Sequence, residues 1–562
     1  MKFITIALLS FTLGSLPSAA AERVDLEVVA RIKDQAFNHS QVMRYMHYLA
    51  DENGARLAAS PNYQRAARWA VEELQKSGIE SARLEEFGVF GRSWAWSRVA
   101  VQLLEPELTT LNAVPLAWSS GTNGVVTAPV VHAPLWEDPD DPGVYDLVKL
   151  AEQIEAYKLR YSGKLAGKIV LLAGKRPFEL PSEPEIQRWS DADLKEMESP
   201  RDPPDYDPRE WPLLREPADQ AARWISYEFI PVEIEHDYSK RQTKLQNRLI
   251  DFLIAEQVVA VLMTNTEGNG GVIFAENFGS HESSAPVPPP AVQLMPEHYN
   301  RLVRLVEHDV PVVVSVDVDA EFPQDQAVLT NVIAELPGNS KRDEVVMMGA
   351  HLDSWHTGTG ATDNATGCAV VLEAMRILQS LDLSLNRTVR LGLWDAEEHG
   401  HYGSRAYVSR YLGDPISMRL KPAHDSFSAY FNIDTGSGKT RGILTQRIPG
   451  AESIFESLLK PFAEYGVTTV VPRKDFQTDH ESFDAVGLPA FDLLQDQLDY
   501  WSHTHHSNVD TVDHVVAGDL QVSAAVLATL VYHAAMREQK MPRDALPLPL
   551  PPPQPLPDIL RD

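Results

Sequence analysis

The chain has 562 residues, which is too long for one hydrophobic core and predicts two or three domains. Hydrophobic residues make up 44% of it, so the composition excludes a largely disordered protein. With 50 basic against 79 acidic residues, the formal net charge is −29, which argues against nucleic acid or an anionic membrane as a partner. The single cysteine, Cys368, excludes an intrachain disulfide, and we expect it to be a small buried residue.

The first 21 residues have the composition of a secretory signal peptide. Lys2 precedes an apolar run over residues 3–13, and Ala19 and Ala21 form an A-x-A cleavage site. The pattern predicts cleavage before Glu22. The apolar run is shorter than the roughly 20 residues that cross a bilayer, so we expect a bacterial protein that is secreted or periplasmic, with no membrane span in the mature chain.

Helical patterns over residues 41–53 and 60–78 are followed by a strand at 98–104. From about residue 107, short β-like runs alternate with Gly, Pro and Asn, which predicts a separate β-rich domain. The sequence therefore predicts a discontinuous domain at 22–106 and 325–541, an insertion at 107–324 that includes a Pro-rich and charged arm at 176–217, and a proline-rich tail at 542–562. We expect the arm to be ordered, because its tryptophans are costly to expose, and the tail to be unstructured or extended.

From residue 330 onward, strands and helices alternate. The predicted strands lie at 344–351, 388–394, 428–434 and 489–495, the helices between them at 365–379, 404–411 and 451–465, and a last helix at 519–538. This order predicts βαβ units, hence an α/β fold with a mainly parallel sheet. The last helix is too short and too polar for a membrane span, so we expect it to pack on the sheet.

Each of the four strands leads into side chains of metal-binding type, and the carboxyl ends of parallel strands meet at one edge of a sheet. These residues are His351, Asp363, Glu397, Glu398, Asp434 and His506. Taken singly, each has an ordinary explanation, since Asp363 is well placed for a helix N-cap and the others for polar loops. Four successive strand ends with such residues together predict a metal site.

The donor types favour two zinc ions, because zinc accepts imidazole nitrogen and carboxylate oxygen. Asp363 would bridge the ions through its two oxygens. His351 and Asp434 would complete one ion, and Glu398 and His506 the other.

This arrangement leaves the neighbouring Glu397 free to be the general base for a metal-activated water. Asp353 and Asp510 suit a supporting role, since carboxylates of this kind orient ligand imidazoles, and we group Asp353 with Glu397 in the catalytic machinery.

At these residues the sequence resembles the family M28 metallopeptidases. The motifs are H-x-D at 351–353, DNATG at 363–367, EE at 397–398, NID at 432–434, H-S-x-x-D-T at 506–511, TNVIAELPG at 330–338 and TDHESF at 478–483. The insertion looks like a protease-associated (PA) domain through residues 163–172 and 286–322. The whole arrangement looks most like the carboxypeptidase Q branch of that family and its bacterial relatives.

The resemblance implies a zinc-exopeptidase-like α/β/α sandwich with a mixed, mainly parallel sheet. It also implies a secreted di-zinc exopeptidase of short peptides, of carboxypeptidase or dipeptidase type, and a homodimer. The sequence departs from the family pattern at Asp395, which stands before the glutamate pair, and at His399 and His401, which follow it. His505 adjoins His506, so the choice of ligand is open to a shift of one residue.

The end of the substrate that is recognised stays open. A carboxypeptidase needs a cation for the substrate carboxylate, which Arg473 or Lys474 could supply, whereas an aminopeptidase needs an acid such as Asp475. Two further alternatives are an inactive binding module, which would be expected to lack a ligand or the base, and a single-zinc acyltransferase of the glutaminyl-cyclase kind. His480 is either a substrate-contacting or a structural histidine, and Tyr500 could line the pocket.

Overall fold

The computed structural model describes residues 22–138, 141–178, 184–203, 207–265 and 267–561, so the predicted signal peptide lies outside the described residues. The described chain forms two lobes, each built on an eight-stranded sheet. The helices are α1 (Leu26–Asn38), α2 (Val42–Met46), α3 (Pro61–Lys76), α4 (Leu147–Tyr161), α5 (Asp191–Met197), α6 (Gln220–Tyr227), α7 (Val232–Ala255), α8 (Pro296–Glu307), α9 (Thr366–Ser380), α10 (Tyr402–Tyr411), α11 (Pro422–Ser426), α12 (Ala451–Leu459), α13 (His480–Asp484) and α14 (Ala517–Met536). The strands are β1 (Arg83–Gly91), β2 (Ala95–Glu105), β3 (Thr109–Leu111), β4 (Ala113–Pro115), β5 (Val126–His132), β6 (Ile169–Leu171), β7 (Ala260–Met263), β8 (Ala291–Leu294), β9 (Val313–Glu321), β10 (Ala327–Leu336), β11 (Lys341–His351), β12 (Arg387–Trp394), β13 (Gly413–Asp414), β14 (Arg419–Leu420), β15 (Phe427–Asn432), β16 (Thr440–Leu444), β17 (Thr469–Val471) and β18 (Ala490–Gln495).

The first lobe contains a mixed sheet in the order β1-β10-β12-β11-β15-β18-β16-β17. Its centre, β12-β11-β15-β18, is parallel, while β10 and β16 join it antiparallel. The prediction of a mixed, mainly parallel α/β sheet is therefore confirmed. The parallel centre matters for function because it brings several strand ends to one edge.

Helices cover both faces of this sheet, as expected when strands are apolar on both sides. Along β11, Val346, Met348 and Ala350 face a core formed with α1, α2, α3, α9, α12 and α14, while Met347 faces the opposite core, which includes residues of α10 and α13. Successive side chains of a strand point to opposite faces, so this alternation follows directly from the pleat. The lobe is thus an α/β/α sandwich.

Local sequence explains the bounds of some of these helices. The Ser60 hydroxyl accepts a hydrogen bond from the Tyr63 amide at 3.2 Å, and Pro61 occupies the first turn of α3. Helix α12 ends at Leu459, earlier than predicted, because Pro461 cannot donate the next helical hydrogen bond and the chain continues as a 3₁₀ turn. Helix α1 is an element that the sequence analysis missed.

Helix α14 is the one described helix that is long and apolar enough to cross a membrane, and 89% of its apolar stretch is buried inside the fold. It packs against α1, α9 and β11. Burial of this kind is typical of a core helix, in agreement with the expectation that it packs on the sheet.

The second lobe holds a sheet in the order β3-β2-β9-β5-β6-β7-β8-β4, with β5, β6, β7 and β8 parallel. Helices α4 and α7 contribute to the core on one face and α8 to the core on the other. The lobe therefore contains substantial helices between its strands, where the sequence analysis expected mainly β structure.

The lobe boundary lies earlier than the predicted change at residue 106. Strand β2, which the sequence analysis includes in the first domain, pairs along its length with β9 of the second sheet. The chain therefore leaves the first lobe between Gly91 and Ala95, and it returns between Glu321 and Ala327. The local pattern correctly indicates a strand, but the partner of a strand is set by non-local pairing.

The arm and the tail both pack on the body of the protein where the structure describes them. In the arm, Trp189 donates from its indole nitrogen to the Gln495 carbonyl at 2.7 Å, and Leu194 of α5 is buried in a small apolar cluster against the first sheet. The tail runs extended across both lobes: the Leu550 amide donates to the Ile416 carbonyl at 3.1 Å, and Leu560 packs into the core of the second lobe.

Candidate metal centre and substrate cavity

The predicted donors meet at the carboxyl edge of the first sheet. His351 is the last residue of β11, Glu398 follows β12, and Asp434 follows β15. Asp363 lies in the turn that leads into α9, and His506 lies in the loop before α14. The parallel centre of the sheet explains why residues from such distant parts of the sequence converge.

The two histidines approach the two oxygens of one carboxylate. His351 Nε2 lies 3.3 Å from Asp363 Oδ1 and 3.2 Å from Asp434 Oδ1. His506 Nε2 lies 3.3 Å from Asp363 Oδ2 and 2.9 Å from Glu398 Oε2. The structure therefore brings the predicted donors together, with Asp363 between a His351–Asp434 group and a His506–Glu398 group.

The neighbouring His505 is a weaker candidate for the same position. Its Nε2 lies 4.0 Å from Asp363 Oδ2, and its ring stacks on the ring of His506 with 3.6 Å between centroids. The shorter distances and the contact with Glu398 favour His506.

The second nitrogen of each histidine has a fixed partner, which sets the tautomer. His351 Nδ1 lies 3.0 Å from the main-chain oxygen of Asp353. The Asp353 carboxylate instead accepts hydrogen bonds from the amides of Glu397 and Glu398, at 3.1 and 3.4 Å. Asp353 thus supports both the first histidine and the glutamate pair.

Asp510 does not orient His506, contrary to the sequence-based interpretation. Its carboxylate accepts hydrogen bonds from the Thr362 amide and hydroxyl at 2.6 and 2.8 Å, so it fixes the turn that carries Asp363. Burial next to Asp363 raises the pKa of Asp510 to about 7. The partner of His506 Nδ1 is Glu276, whose Oε1 lies at 2.7 Å and which the sequence analysis did not identify.

Glycine allows the Asp363 loop to pass close to the loop around Asp510. A Cβ atom on Gly358 would lie 2.7 Å from the main-chain oxygens of Asp510 and Ser507, closer than real side chains tolerate. Gly358 therefore serves close approach of the two backbones.

Glu397 lies beside the donor cluster and faces the cavity. Its Oε2 is 4.0 Å from His351 Nε2, and its Oε1 is 3.3 Å from His401 Nε2. Burial, reinforced by the charge of Asp434, raises the pKa of Glu397 well above its usual range. A carboxylate held in this way is suited to exchange a proton with a group in the cavity.

The donor set fits a divalent metal such as zinc. His351, Asp363 and Asp434 offer ligand atoms within 4.8 Å of one another, and so do Asp363, His505 and His506. Burial beside Asp363 raises the pKa of Glu398 to about 8, and its Oε1 is buried with no hydrogen-bond partner among the described residues. Clustered carboxylates of this kind are stabilised by cations, and the mixture of imidazole and carboxylate is one that zinc accepts.

A cavity of about 840 Å³ opens onto this centre and is lined by both lobes and the arm. Tyr500 lines it, as predicted. His480 does not: its ring is fully buried, and its Nε2 lies 3.1 Å from the main-chain oxygen of Asp475. His480 is therefore a structural histidine, and the alternative of a substrate contact is wrong for this fold.

The departures from the family motif have structural explanations. Asp395 is fully buried and accepts a hydrogen bond from the Thr330 amide at 2.9 Å, which ties β10 to the end of β12. The His399 ring lies 5.0 Å from the rings of both Trp118 and Trp355 in an aromatic cluster. Burial lowers the pKa of His401 to about 3, so this ring is neutral beside Glu397.

Cys368 is buried behind the centre, where its Sγ donates to the main-chain oxygen of His351 at 3.0 Å. Burial raises the pKa of this thiol to about 12, which agrees with the expected role of a small core residue.

The chain is similar to known metallopeptidases in sequence and in fold. Residues 331–531 match the profile of peptidase family M28, so this part of the chain is similar to that family. It resembles carboxypeptidase Q: it is 28% identical to the human protein over 273 residues, which are 48% of this chain and 55% of the human one. The chain thus aligns with little more than half the length of that curated relative.

Solved structures share the fold. A peptidase M28 precursor from Shewanella amazonensis SB2B superposes with a TM-score of 0.63 at 22% identity, over 93% of this chain and 98% of that one. A zinc aminopeptidase from Bacillus subtilis gives a TM-score of 0.51 at 16% identity, over 89% and 95% of the two chains. At these identities the likeness concerns the fold alone.

Proposed function

We propose that this protein is a secreted, zinc-dependent exopeptidase that hydrolyses short peptides. The observation that carries the proposal is the position of Asp363, whose two carboxylate oxygens each lie 3.3 Å from a different histidine, His351 and His506. Glu398 and Asp434 stand on the two sides, and Glu397 lies next to them without being needed as a ligand. These five donors would hold two zinc ions.

When bound, the zinc ions would lower the pKa of a water molecule and polarise the scissile carbonyl. Glu397 would accept the proton of that water on its carboxylate and deliver it to the leaving amine. His401, neutral and 3.3 Å from Glu397 Oε1, would keep this carboxylate turned toward the cavity. Asp353, through the amides of Glu397 and Glu398, would hold the base and the ligand in a fixed relation.

The resemblance to carboxypeptidase Q supports a carboxypeptidase or dipeptidase. The electrostatics of the cavity favour a second candidate, an aminopeptidase of the same family. Arg473 is 4% exposed and donates to the main-chain oxygen of Ser199 and to the Glu196 carboxylate at 2.7 and 2.8 Å. Lys474 contacts the Asp484 carboxylate at 2.5 Å. Both cations that sequence analysis offers for a substrate carboxylate are therefore engaged within the protein.

We expect hydrolysis of small peptides that is lost with a chelator and restored by zinc. The measurement is a panel of free dipeptides, N-blocked peptides and C-amidated peptides, incubated with the mature protein. Cleavage of N-blocked but not amidated peptides would identify a carboxypeptidase, the reverse an aminopeptidase, and cleavage of dipeptides alone a dipeptidase. Without chelator-sensitive cleavage of any peptide, the proposal gives way to an inactive binding module.

A chain of aromatic rings leads from the metal centre along the cavity wall. The His505 ring, stacked on His506, lies 4.6 Å from Trp501, and Trp501 lies 5.5 Å from Trp224 of α6. Trp501 is 42% exposed although it is a large apolar residue. This wall supports the proposal that the substrate carries a large apolar or aromatic side chain next to the scissile bond.

Replacement of Trp501 with alanine is expected to lower kcat/KM for substrates with Phe or Leu beside the scissile bond by about 10- to 100-fold. The reason is that the substrate side chain loses its apolar contact with one wall of the pocket. The same variant should keep its activity on the matching alanine substrate, which serves as the internal control. An equal loss on both substrates would indicate a general structural defect and contradict the subsite.

A further inference from the structure

A segment of the second lobe is built into the metal centre. This segment, residues 273–276, follows β7 and lies outside the 331–531 region that matches the family profile. The Ala275 amide donates to the main-chain oxygen of His506 at 3.1 Å, and the Asn508 amide donates to the oxygen of residue 273 at 3.1 Å. The segment thus pairs antiparallel with the loop that carries His506.

The Glu276 side chain extends from this segment to the second nitrogen of the histidine. Its Oε1 lies 2.7 Å from His506 Nδ1, while His506 Nε2 faces Glu398 and Asp363 at 2.9 and 3.3 Å. With the proton on Nδ1 donated to Glu276, the lone pair of Nε2 points at the donor cluster. Carboxylates in this position fix the tautomer and the ring orientation of a metal-binding imidazole.

The other side of the segment is held by the second lobe itself. The Ala117 amide donates to the main-chain oxygen of Glu276 at 3.0 Å. A Cβ on the nearby Gly279 would lie 2.2 Å from the Trp118 oxygen, so the backbone there is in close contact with its neighbour. Glu276 is therefore presented to His506 from a fixed backbone on another lobe.

We propose that Glu276 is a positioning residue for His506, and that the second lobe thereby completes the metal centre of the first. The inference rests on the proposed function in one respect, namely that His506 is a metal ligand. It predicts that the affinity for the zinc ion at His506 depends on a residue of the second lobe. The affinity for the zinc ion at His351 and Asp434 should not depend on that residue.

The test is zinc affinity, measured on the full chain by competition with a chelator, for E276A and E276Q. In E276A we expect one of the two zinc ions to bind about 10- to 100-fold more weakly, the usual cost of losing such a partner, and the other to bind as in the wild type. E276Q keeps an acceptor oxygen opposite His506 Nδ1 and should lose less. Because 54% of the Glu276 side chain is exposed, neither change opens a hole in a core.

The matched control is E282A, which removes the same charge from an exposed position of the same lobe. It should keep wild-type affinity for both ions. An E276A variant with unchanged zinc affinity would overturn the inference, and so would equal losses in E276A and E282A, since these would reflect net charge. A wild-type protein that binds no zinc would instead overturn the proposed function. Equal unfolding temperatures of the metal-free proteins check that all variants fold.

Discussion

Replacement of Glu397 with glutamine is expected to lower kcat by about 10²- to 10⁴-fold, the usual contribution of a general base, while the zinc content of the protein stays unchanged. Glutamine preserves the size and the hydrogen-bonding oxygen of the side chain but cannot accept a proton. The Glu397 carboxylate lies 4.0 Å from His351 Nε2, farther than the 3.2 and 3.3 Å of the Asp434 and Asp363 oxygens. It is therefore close enough to serve the reaction without being needed to hold a metal.

The adjacent residue supplies the matched control. Glu398 Oε2 lies 2.9 Å from His506 Nε2, and E398Q makes the same chemical change one position away. We expect E398Q to lower zinc content as well as activity. Metal analysis and kinetics on both variants separate the two roles: an active E397Q would refute the base, and loss of zinc from E397Q would make Glu397 a ligand.

Much of the first lobe is predictable because its information is local. Strands that are apolar on both faces and alternate with segments of helical spacing indicate an α/β sheet without any knowledge of the partners. The donors were predictable for a related reason. Once the strands are parallel, their carboxyl ends lie at one edge, so His351 and Asp434 are neighbours although 83 residues separate them.

The errors concern contacts that no local spacing encodes. Asp510 lies four residues after His506, which favours a contact between them, but its carboxylate binds Thr362. Glu276 is 230 residues from His506 and belongs to the other lobe, so its role depends on how the lobes pack. Strand β2 has a recognisable pattern, but its pairing with β9 decides which lobe contains it.

Helix α1 was missed and the role of His480 was left open, for different reasons. The buried face of α1 contains Val28, Val29, Ile32 and Ala36, a helical spacing that was present in the sequence and could have been found. His480 lies in a motif that allowed either a substrate contact or a structural role. The burial of its ring and the contact of its Nε2 with the main-chain oxygen of Asp475 favour the structural role.

Replacement of Asp363 with alanine is expected to abolish the binding of both zinc ions and, with it, all peptide hydrolysis. Its two oxygens face the two histidine groups at equal distances of 3.3 Å, so the loss of one side chain removes a ligand from each ion. The effect should exceed that of any other single change at the centre, because every other donor belongs to one side only.

The matched variant for comparison with D363A is H506A, which removes a donor from one side of the centre alone. We expect purified H506A to retain one zinc ion per chain, in the group formed by His351, Asp363 and Asp434, and D363A to retain none. Metal analysis after dialysis, with circular dichroism to check folding, measures both. A wild-type protein with a single zinc ion, or a D363A protein that keeps two, would contradict the bridging role of Asp363. One ion in the wild type would also favour the single-zinc acyltransferase alternative, because that alternative requires only one bound zinc ion per chain.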